Sequence, residues 1–105
     1  MKKLAVFLVA GALLVPAGAS FAKSGAVGKK LFEINCAACH KDGGNIMKPD
    51  MNLKKETLAK NGIKKPEDIV KKMRNPEPGM PKFDEKQIPD KDAGEIANYI
   101  MKTFK

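Results

Sequence analysis

The sequence predicts an all-α domain of four to five short helices, and three observations lead to that prediction. Apolar residues recur at three- and four-residue spacing in the segments between glycines and prolines, as they do on one face of a helix. No segment shows the alternation of apolar and polar residues that a half-buried strand requires. The length of 105 residues allows one domain only.

The first 22 residues have the composition of a secretory signal peptide. A short positive start precedes an apolar run over 4–15, and Ser20 and Ala22 occupy the −3 and −1 positions of a cleavage site. The run is shorter than the ~18–20 apolar residues of a membrane-spanning helix. We expect residues 1–22 to be removed, and residues 23–105 to form a soluble monomer in the periplasm or another extracytoplasmic compartment, without membrane insertion.

The first predicted helix covers residues 25–35, where four apolar residues lie at helical spacing. Residues 41–52 are predicted to form a loop, because two glycines and a proline interrupt any regular element. A short helix is predicted over 55–61, with Gly62 as its C-terminal cap.

Two further helices are predicted in the second half of the chain. Pro66 suits the first position of a helix, and the two acidic residues that follow it favour the positive end of the helix dipole. That helix ends before Pro76, and a proline-rich loop occupies 75–83. The last helix extends over about 89–103, with acidic residues near its start, lysines near its end and one apolar stripe.

The charge of the chain is basic and consists almost entirely of lysine. Two of the 20 basic residues and none of the 12 acidic residues lie in 1–22, so residues 23–105 carry a formal net charge of +6. Only Arg74 is an arginine and aromatic residues are few, whereas nucleic-acid sites favour arginine forks and stacking aromatics. We expect no nucleic-acid partner; the lysines form either a solvated surface or a surface that attracts acidic proteins.

The large apolar residues of 23–105 are few for a domain of this length. Exported domains of this size are commonly stabilised by disulfides, a metal or a cofactor. A disulfide between Cys36 and Cys39 would close a very short loop and would add little stability. We therefore expect a bound group to complete the interior.

The five residues from Cys36 to His40 identify that group. Two thiols at positions i and i+3 of a helical turn point to the same side, where they reach two points of one flat ligand. The adjoining His40 then presents an imidazole nitrogen to a metal at the centre of the ligand. C-x-x-C-H is the attachment signal of c-type haem, so Cys36 and Cys39 are the predicted covalent attachment sites and His40 the predicted iron ligand.

Two other chemistries use similar residues and fit this chain less well. A thioredoxin-like redox pair needs strands around the C-x-x-C motif, and none is predicted. A structural zinc site needs four nitrogen or sulfur ligands, whereas the chain contains two cysteines and one histidine.

The second axial ligand of the iron is predicted to be Met80. The chain has no other histidine, so the candidates are methionine, lysine or none. Met80 lies in the loop 75–83, whose prolines preclude a helix and stiffen the backbone around one thioether; the alternative is that Met80 only lines the pocket. The other methionines outside residues 1–22 are expected to pack in the core or to line the pocket: Met47, Met51, Met73 and Met101.

With these motifs the chain resembles the class I cytochromes c over nearly all of 23–105. It is most similar to the short soluble algal and cyanobacterial cytochromes that donate electrons to photosystem I, and to their bacterial relatives. The matching segments are 28–32, 35–40, 46–49, 52–53, 58–62, 79–83 and 96–100. The resemblance implies a small fold in which the N- and C-terminal helices cross beside one covalently bound haem.

The resemblance also implies roles for single residues. Gly28 would permit the close approach of the two terminal helices, with Phe32 and Tyr99 packed at the crossing. The backbone carbonyl of Pro49 would accept a hydrogen bond from Nδ1 of His40 and so orient the ring. Pro89 departs from the family, in which a Ser or Asp often caps the last helix, so the start of that helix is left open.

The function implied is that of a one-electron carrier cycling between Fe(III) and Fe(II), not of an enzyme. Axial ligation by His40 and Met80 would leave one haem edge exposed, and lysines around that edge would orient an acidic redox partner. One alternative is a five-coordinate haem sensor or peroxidase-like domain, which requires Met80 to be absent from the iron. Another is a subunit docked permanently to a larger redox complex.

Overall fold

The structure, a computed structural model, describes the backbone of residues 18–105 and the side chains from residue 25 onward. Residues 1–17, most of the predicted signal peptide 1–22, lie outside the described residues. Residues 18–105 form five α-helices and no strand, which confirms the predicted fold class. The helices are α1 (Gly18–Asn35), α2 (Ala37–His40), α3 (Lys55–Lys60), α4 (Pro66–Arg74) and α5 (Asp90–Thr103).

Helix α1 starts earlier than the sequence predicts. It begins at Gly18 rather than near residue 25, because no proline lies between Pro16 and Pro49 and the alanines of this stretch favour a helix. It ends at Asn35, whose side-chain Nδ2 donates to the carbonyl of Leu31 at 3.0 Å.

Helices α3 and α4 have the ends that their sequences predict. The amide of Gly62 donates to Ala59 O at 3.1 Å and the amide of Ile63 donates to Leu58 O at 2.8 Å, which is the Schellman pattern. Gly62 has a φ of +79°, a conformation that favours glycine over other residues. Helix α4 has Pro66 at its first position and ends at Arg74, before Pro76.

Helix α5 begins at Asp90 in spite of the proline before it. The carbonyl of Pro89 accepts the first intrahelical hydrogen bond from the amide of Ala93 at 2.9 Å, so the N–H that proline lacks is not needed. Asp90 and Asp92 lie in the first turn and Lys102 in the last, as the helix dipole favours. None of the helices in residues 18–105 is both long and apolar enough to cross a membrane.

The core lies where α1 and α5 cross and where α4 packs on α5. A Cβ added to Gly28 would meet the carbonyl of Glu95 and the Cβ of Tyr99, so this residue permits the close approach that the resemblance implied. The Phe32 and Tyr99 rings pack at the crossing with their centroids 5.4 Å apart. The buried apolar residues are Phe32, Leu58, Ile69, Met73, Ile88, Ala93, Ile96, Ala97 and Ile100.

The segment between α2 and α3 contains two 3-10 turns, Lys41–Gly43 and Pro49–Met51, where the sequence predicts a loop. This segment is tied to the C-terminus of the chain. The amide of Leu53 donates to Gly43 O at 2.7 Å, and the amide of Lys55 donates to Phe104 O at 3.1 Å. The segment after His40 is therefore closed on itself and joined, through the first residue of α3, to the C-terminal end of α5.

Candidate functional site

A cleft of about 290 Å³ opens onto the apolar core. Its lining comes from the end of α1, from α2, α3 and α4, from the segment between α2 and α3, from the loop before α5 and from one residue of α5. Most of the lining residues are apolar. The four residues that the sequence predicts to hold a haem all line this cleft: Cys36, Cys39, His40 and Met80.

The two thiols lie on a single helical turn. Cys36 breaks the helix between α1 and α2, and its carbonyl accepts the amides of Cys39 at 3.2 Å and His40 at 2.9 Å. Both thiols are free, so no disulfide joins them. Burial raises the pKa of the Cys36 thiol to about 11, which keeps it protonated at neutral pH.

The ring of His40 is oriented by Gly44, not by Pro49. His40 Nδ1 lies 2.8 Å from the carbonyl oxygen of Gly44, which is positioned to accept the Nδ1 proton. In that tautomer the lone pair of the ring is on Nε2, the arrangement that a metal-binding histidine needs. The carbonyl of Pro49 instead accepts from the side chain of Asn52 at 3.2 Å, so the expectation for Pro49 was wrong.

The tight path of the chain after His40 is the physical reason for this difference. Asp42 and Gly43 have positive φ values of 56° and 79°, so the backbone turns sharply and returns the Gly44 carbonyl to the ring four residues earlier. The ring of Phe104 occupies the space where a Cβ of Gly43 would lie. Pro49 is carried away into its own 3-10 turn.

Met80 lies at the end of a β-turn over 77–80. The amide of Met80 donates to Glu77 O at 3.2 Å, with Pro78 at the second position and Gly79, at a φ of +102°, at the third. Proline followed by glycine at these positions is the pattern of a type II turn. Helix packing is therefore not required to define where the thioether of Met80 lies.

Charged groups on the lining form a small network with the turn that carries Met80. Lys72 Nζ and Glu77 Oε1 are 2.7 Å apart, and both side chains are partly exposed. The hydrogen bond and charge of Lys72 lower the pKa of Glu77, and the charge of Lys48 lowers it further. Lys48, on the segment after His40, and Glu77, on the Met80 turn, thus attract each other.

The other methionines lie as the sequence analysis expects. Met73 is buried in the core and also lines the cleft, and Met101 is half-buried against the core. Met51 and Met47 line the cleft, and Met47 is 64% exposed. None of these four residues lies in a proline-rich loop like that of Met80.

The composition of the cleft fits a c-type haem. The donor set consists of two thiols on one turn, an imidazole whose Nδ1 is already engaged, and a thioether. The core residues Leu58, Ile69, Ile88 and Ile100 also line the cleft and offer an apolar surface to a flat macrocycle. A soft thioether and an apolar surround are suited to haem iron.

Sequence reasoning missed two residues that shape this site. Gly44 orients His40, and the Gly43-Gly44 pair directly after the motif was the signal that the chain could turn back there. Arg74 binds the end of the loop that carries Met80. The sequence feature that could have drawn attention to Arg74 is that it is the only arginine of the chain.

Comparison with known proteins gives consistent matches. Residues 23–100 match the family model described as cytochrome c oxidase, cbb3-type, subunit III. The chain is 36% identical over 104 residues to cytochrome c6 of Thermosynechococcus vestitus, which covers 96% of this chain and 92% of that protein. It is 38% identical over 74 residues to cytochrome c6 of Cyanidium caldarium, covering 70% of this chain and 66% of that protein.

A solved structure agrees in fold. OmcF, outer membrane cytochrome F from Geobacter sulfurreducens, superposes with a TM-score of 0.73 at 41% identity, covering 74% of this chain and 99% of that chain. The helical fold, the cleft and the relatives lead to the same conclusion. The chain belongs to the class I c-type cytochromes of the c6 type, which are electron carriers built around one covalently bound haem c.

Proposed function

We propose that Cys36 and Cys39 hold the haem covalently and that His40 and Met80 are the two axial ligands of its iron. The observation that carries this proposal is that these four side chains line one cleft, although Met80 is 40 residues beyond His40 in the chain. The bond from His40 Nδ1 to Gly44 supports the proximal assignment, and the turn over 77–80 supports the distal one.

The bound haem supplies a one-electron Fe(III)/Fe(II) couple. The residues around it would favour transfer without rearrangement, because His40 and Met80 would both be presented to the iron from turns that are already formed. The thioether of Met80 and the apolar lining of the cleft exclude water and disfavour the extra positive charge of the oxidised state. Such a site has no free iron position for a substrate, so we infer a carrier that catalyses no reaction by itself.

We further propose that the protein is exported and that residues 1–22 are removed. The match to the family model begins at residue 23, the first residue after the predicted cleavage point, which supports this boundary. Haem is attached to C-x-x-C-H motifs outside the cytoplasm, so the motif of this chain also agrees with export. N-terminal sequencing of the purified protein tests the cleavage point, with Lys23 as the expected first residue.

The electron-transfer partners are proposed to present acidic surfaces. The net charge of +6 over 23–105, carried by lysines, favours association with acidic proteins and raises the rate of encounter. The rate of electron transfer to such a partner should therefore fall as ionic strength rises. A rate independent of ionic strength would contradict this assignment of the partner.

One alternative is supported by a specific observation. The family model that matches residues 23–100 carries the name of an oxidase subunit, which keeps open the possibility that the chain is docked permanently to a larger complex. Size-exclusion chromatography of the native extract separates the two cases, because a free carrier elutes as a monomer of the mature chain.

The optical spectrum of the ferric protein tests the proposed ligation. A methionine–iron bond gives a weak charge-transfer band near the red edge of the visible spectrum, and we expect it in the unmodified protein. Met80→Ala should leave the haem attached, abolish this band and lower the reduction potential. Met47→Ala, which changes an exposed methionine of the same cleft, is the matched control and should retain the band.

A high-spin ferric spectrum of the unmodified protein that changes on adding cyanide would instead support a five-coordinate sensor or peroxidase-like domain. Retention of the parent spectrum and potential in Met80→Ala would remove Met80 from its proposed role.

A further inference from the structure

Arg74 is the last residue of α4 and makes two contacts that no other basic residue of the described chain makes. Its guanidinium Nη1 donates to the carbonyl of Phe83 at 3.1 Å, and its Nη2 lies 2.8 Å from Oδ1 of Asp90. The side chain of Arg74 is only 17% exposed, whereas that of Asp90 is 75% exposed. One guanidinium thus joins the end of α4, the end of the Met80 loop and the start of α5.

These contacts close the neck of the loop that carries Met80. The loop leaves α4 after Arg74 and returns at Phe83, where the amide of Phe83 donates to the carbonyl of Met73 at 2.9 Å. Both backbone groups of Phe83 are therefore bound by the last two residues of α4. Met80 lies three residues before Phe83, so the position of this neck limits where its thioether can lie.

We propose that Arg74 is a positioning residue for Met80, which holds the loop 75–83 closed and so keeps the thioether on the iron. This inference rests on the proposed ligation of the iron by Met80. Arginine suits the task because its planar fork donates in two directions at once, which a lysine ammonium on a flexible stem does less well.

The contact with Phe83 should contribute more than the ion pair with Asp90. The carboxylate of Asp90 is exposed, and exposed ion pairs contribute little to stability because water and salt screen them. The bond to Phe83 is partly buried and has a charged donor, which makes it one of the stronger kinds of hydrogen bond. Asp90 then serves mainly to hold the guanidinium in orientation.

The affinity of the ferric protein for imidazole measures this positioning. Imidazole binds only when Met80 has left the iron, so its apparent dissociation constant falls as the open state becomes more populated. We expect Arg74→Met, which keeps the unbranched stem and loses both contacts, to bind imidazole about tenfold more tightly, equivalent to about 1.4 kcal/mol. Met80→Ala gives the limiting affinity of a site without a competing thioether.

Three further variants separate positioning from general effects. Lys71→Met removes the same charge from an exposed neighbour on α4 and should leave the imidazole affinity unchanged. Asp90→Asn removes the ion pair and keeps the bond to Phe83, so it should change the affinity less than Arg74→Met does. Arg74→Lys keeps the charge but has a single donor group, so its imidazole affinity should lie between those of Asp90→Asn and Arg74→Met. It replaces Arg74→Met in the comparison if that variant does not fold.

The outcomes distinguish this inference from the proposed function. If the unmodified protein lacks the methionine–iron band, both are overturned. If the band is present and the Arg74 variants lower the unfolding midpoint without changing the imidazole affinity, the role of Arg74 is merely structural and only this inference is overturned. Tighter imidazole binding in the Arg74 variants, with Lys71→Met unchanged, supports it.

Discussion

At the scale of single residues, the His40 side of the cleft depends on one position that strongly favours glycine, Gly43. Gly43 has a φ of +79°, and a Cβ added there would overlap the ring of Phe104. The next residue, Gly44, offers the carbonyl that orients His40. A side chain at Gly43 would therefore disturb both the packing of the C-terminus and the orientation of the proximal ligand.

We predict that Gly43→Ala destabilises the haem-loaded protein by about 2–4 kcal/mol, the sum of backbone strain and overpacking. Gly62→Ala is the matched control, because Gly62 has the same φ of +79° but nothing lies within 4 Å of an added Cβ. Its cost should be about 1–2 kcal/mol, from backbone strain alone. Urea unfolding of the two variants gives the comparison, and equal costs would show that the Phe104 contact is unimportant.

Single residues of the site could be predicted where they lie close together in the sequence. Cys36, Cys39 and His40 lie within five residues, so their placement on one turn follows from helical geometry. The carbonyl that meets His40 Nδ1 depends on two successive positive φ values, at Asp42 and Gly43, whereas the Gly43-Gly44 pair indicates only that a turn is possible. That is why the expectation for Pro49 failed.

At the scale of elements, α1 and α5 cross at close range. Gly28 faces the carbonyl of Glu95 and the Cβ of Tyr99, so the two backbones approach more closely than any side chain would allow. The rings of Phe32, Tyr99 and Phe104 surround this point with centroid separations of 5.4 to 5.8 Å. The crossing thereby fixes the end of α1 from which the haem motif continues.

We predict that Gly28→Ala destabilises the protein by about 1–3 kcal/mol, because the added methyl group forces the two helices apart. Gly94→Ala, on α5 with nothing within 4 Å of an added Cβ, should instead stabilise it by about 0.5–1 kcal/mol through helix propensity. Thermal unfolding of the two variants is the measurement. Effects of the same sign would contradict the close approach at Gly28.

The carboxylate of Asp68 binds backbone amides at the start of α4. Its Oδ2 accepts the backbone amides of Lys64 at 3.0 Å and Lys65 at 3.2 Å. The hydrogen bond from Lys64 is the main cause of the lowered pKa of this carboxyl group, with further contributions from Lys65 and from the charge of Lys71. A pKa that is lower in the folded state stabilises the fold above the ordinary pKa of the group, and this stabilisation is lost as pH falls through the lowered value.

We predict that Asp68→Ala lowers the unfolding midpoint at neutral pH and that this difference shrinks as the solution is made acidic, because the unmodified carboxylate then also becomes protonated. Glu67→Ala, a neighbouring acidic residue in the same first turn, is the control for loss of charge near the helix dipole. Thermal unfolding as a function of pH is the measurement. A difference that is constant with pH would contradict the role of the ionised carboxylate.

Helix ends were predictable where glycine or proline determines them. Gly62 ends α3 and Pro66 starts α4 at the predicted places, and Pro89 directly precedes α5, whose start the sequence left open. The start of α1 was missed because the small residues before residue 25 favour a helix as well as a cleavage site, and their sequence does not distinguish the two. The two 3-10 turns after α2 were missed because such short turns arise from tertiary contacts.

At the scale of the whole molecule, the cleft is continuous with the core. Among residues 25–105, five of the nine buried apolar residues also line the cleft: Leu58, Ile69, Met73, Ile88 and Ile100. The haem would therefore complete the interior as well as carry the electron. This agrees with the small number of large apolar residues in the sequence, which predicted that the chain folds around a bound group.

Mass spectrometry of the purified protein tests this account most directly. We predict that the chain begins at Lys23 and carries the added mass of one haem on the peptide that contains Cys36 to His40. Cys36→Ser and Cys39→Ser should each impair this attachment. A colourless, fully folded protein whose mass is that of the bare polypeptide would contradict the account.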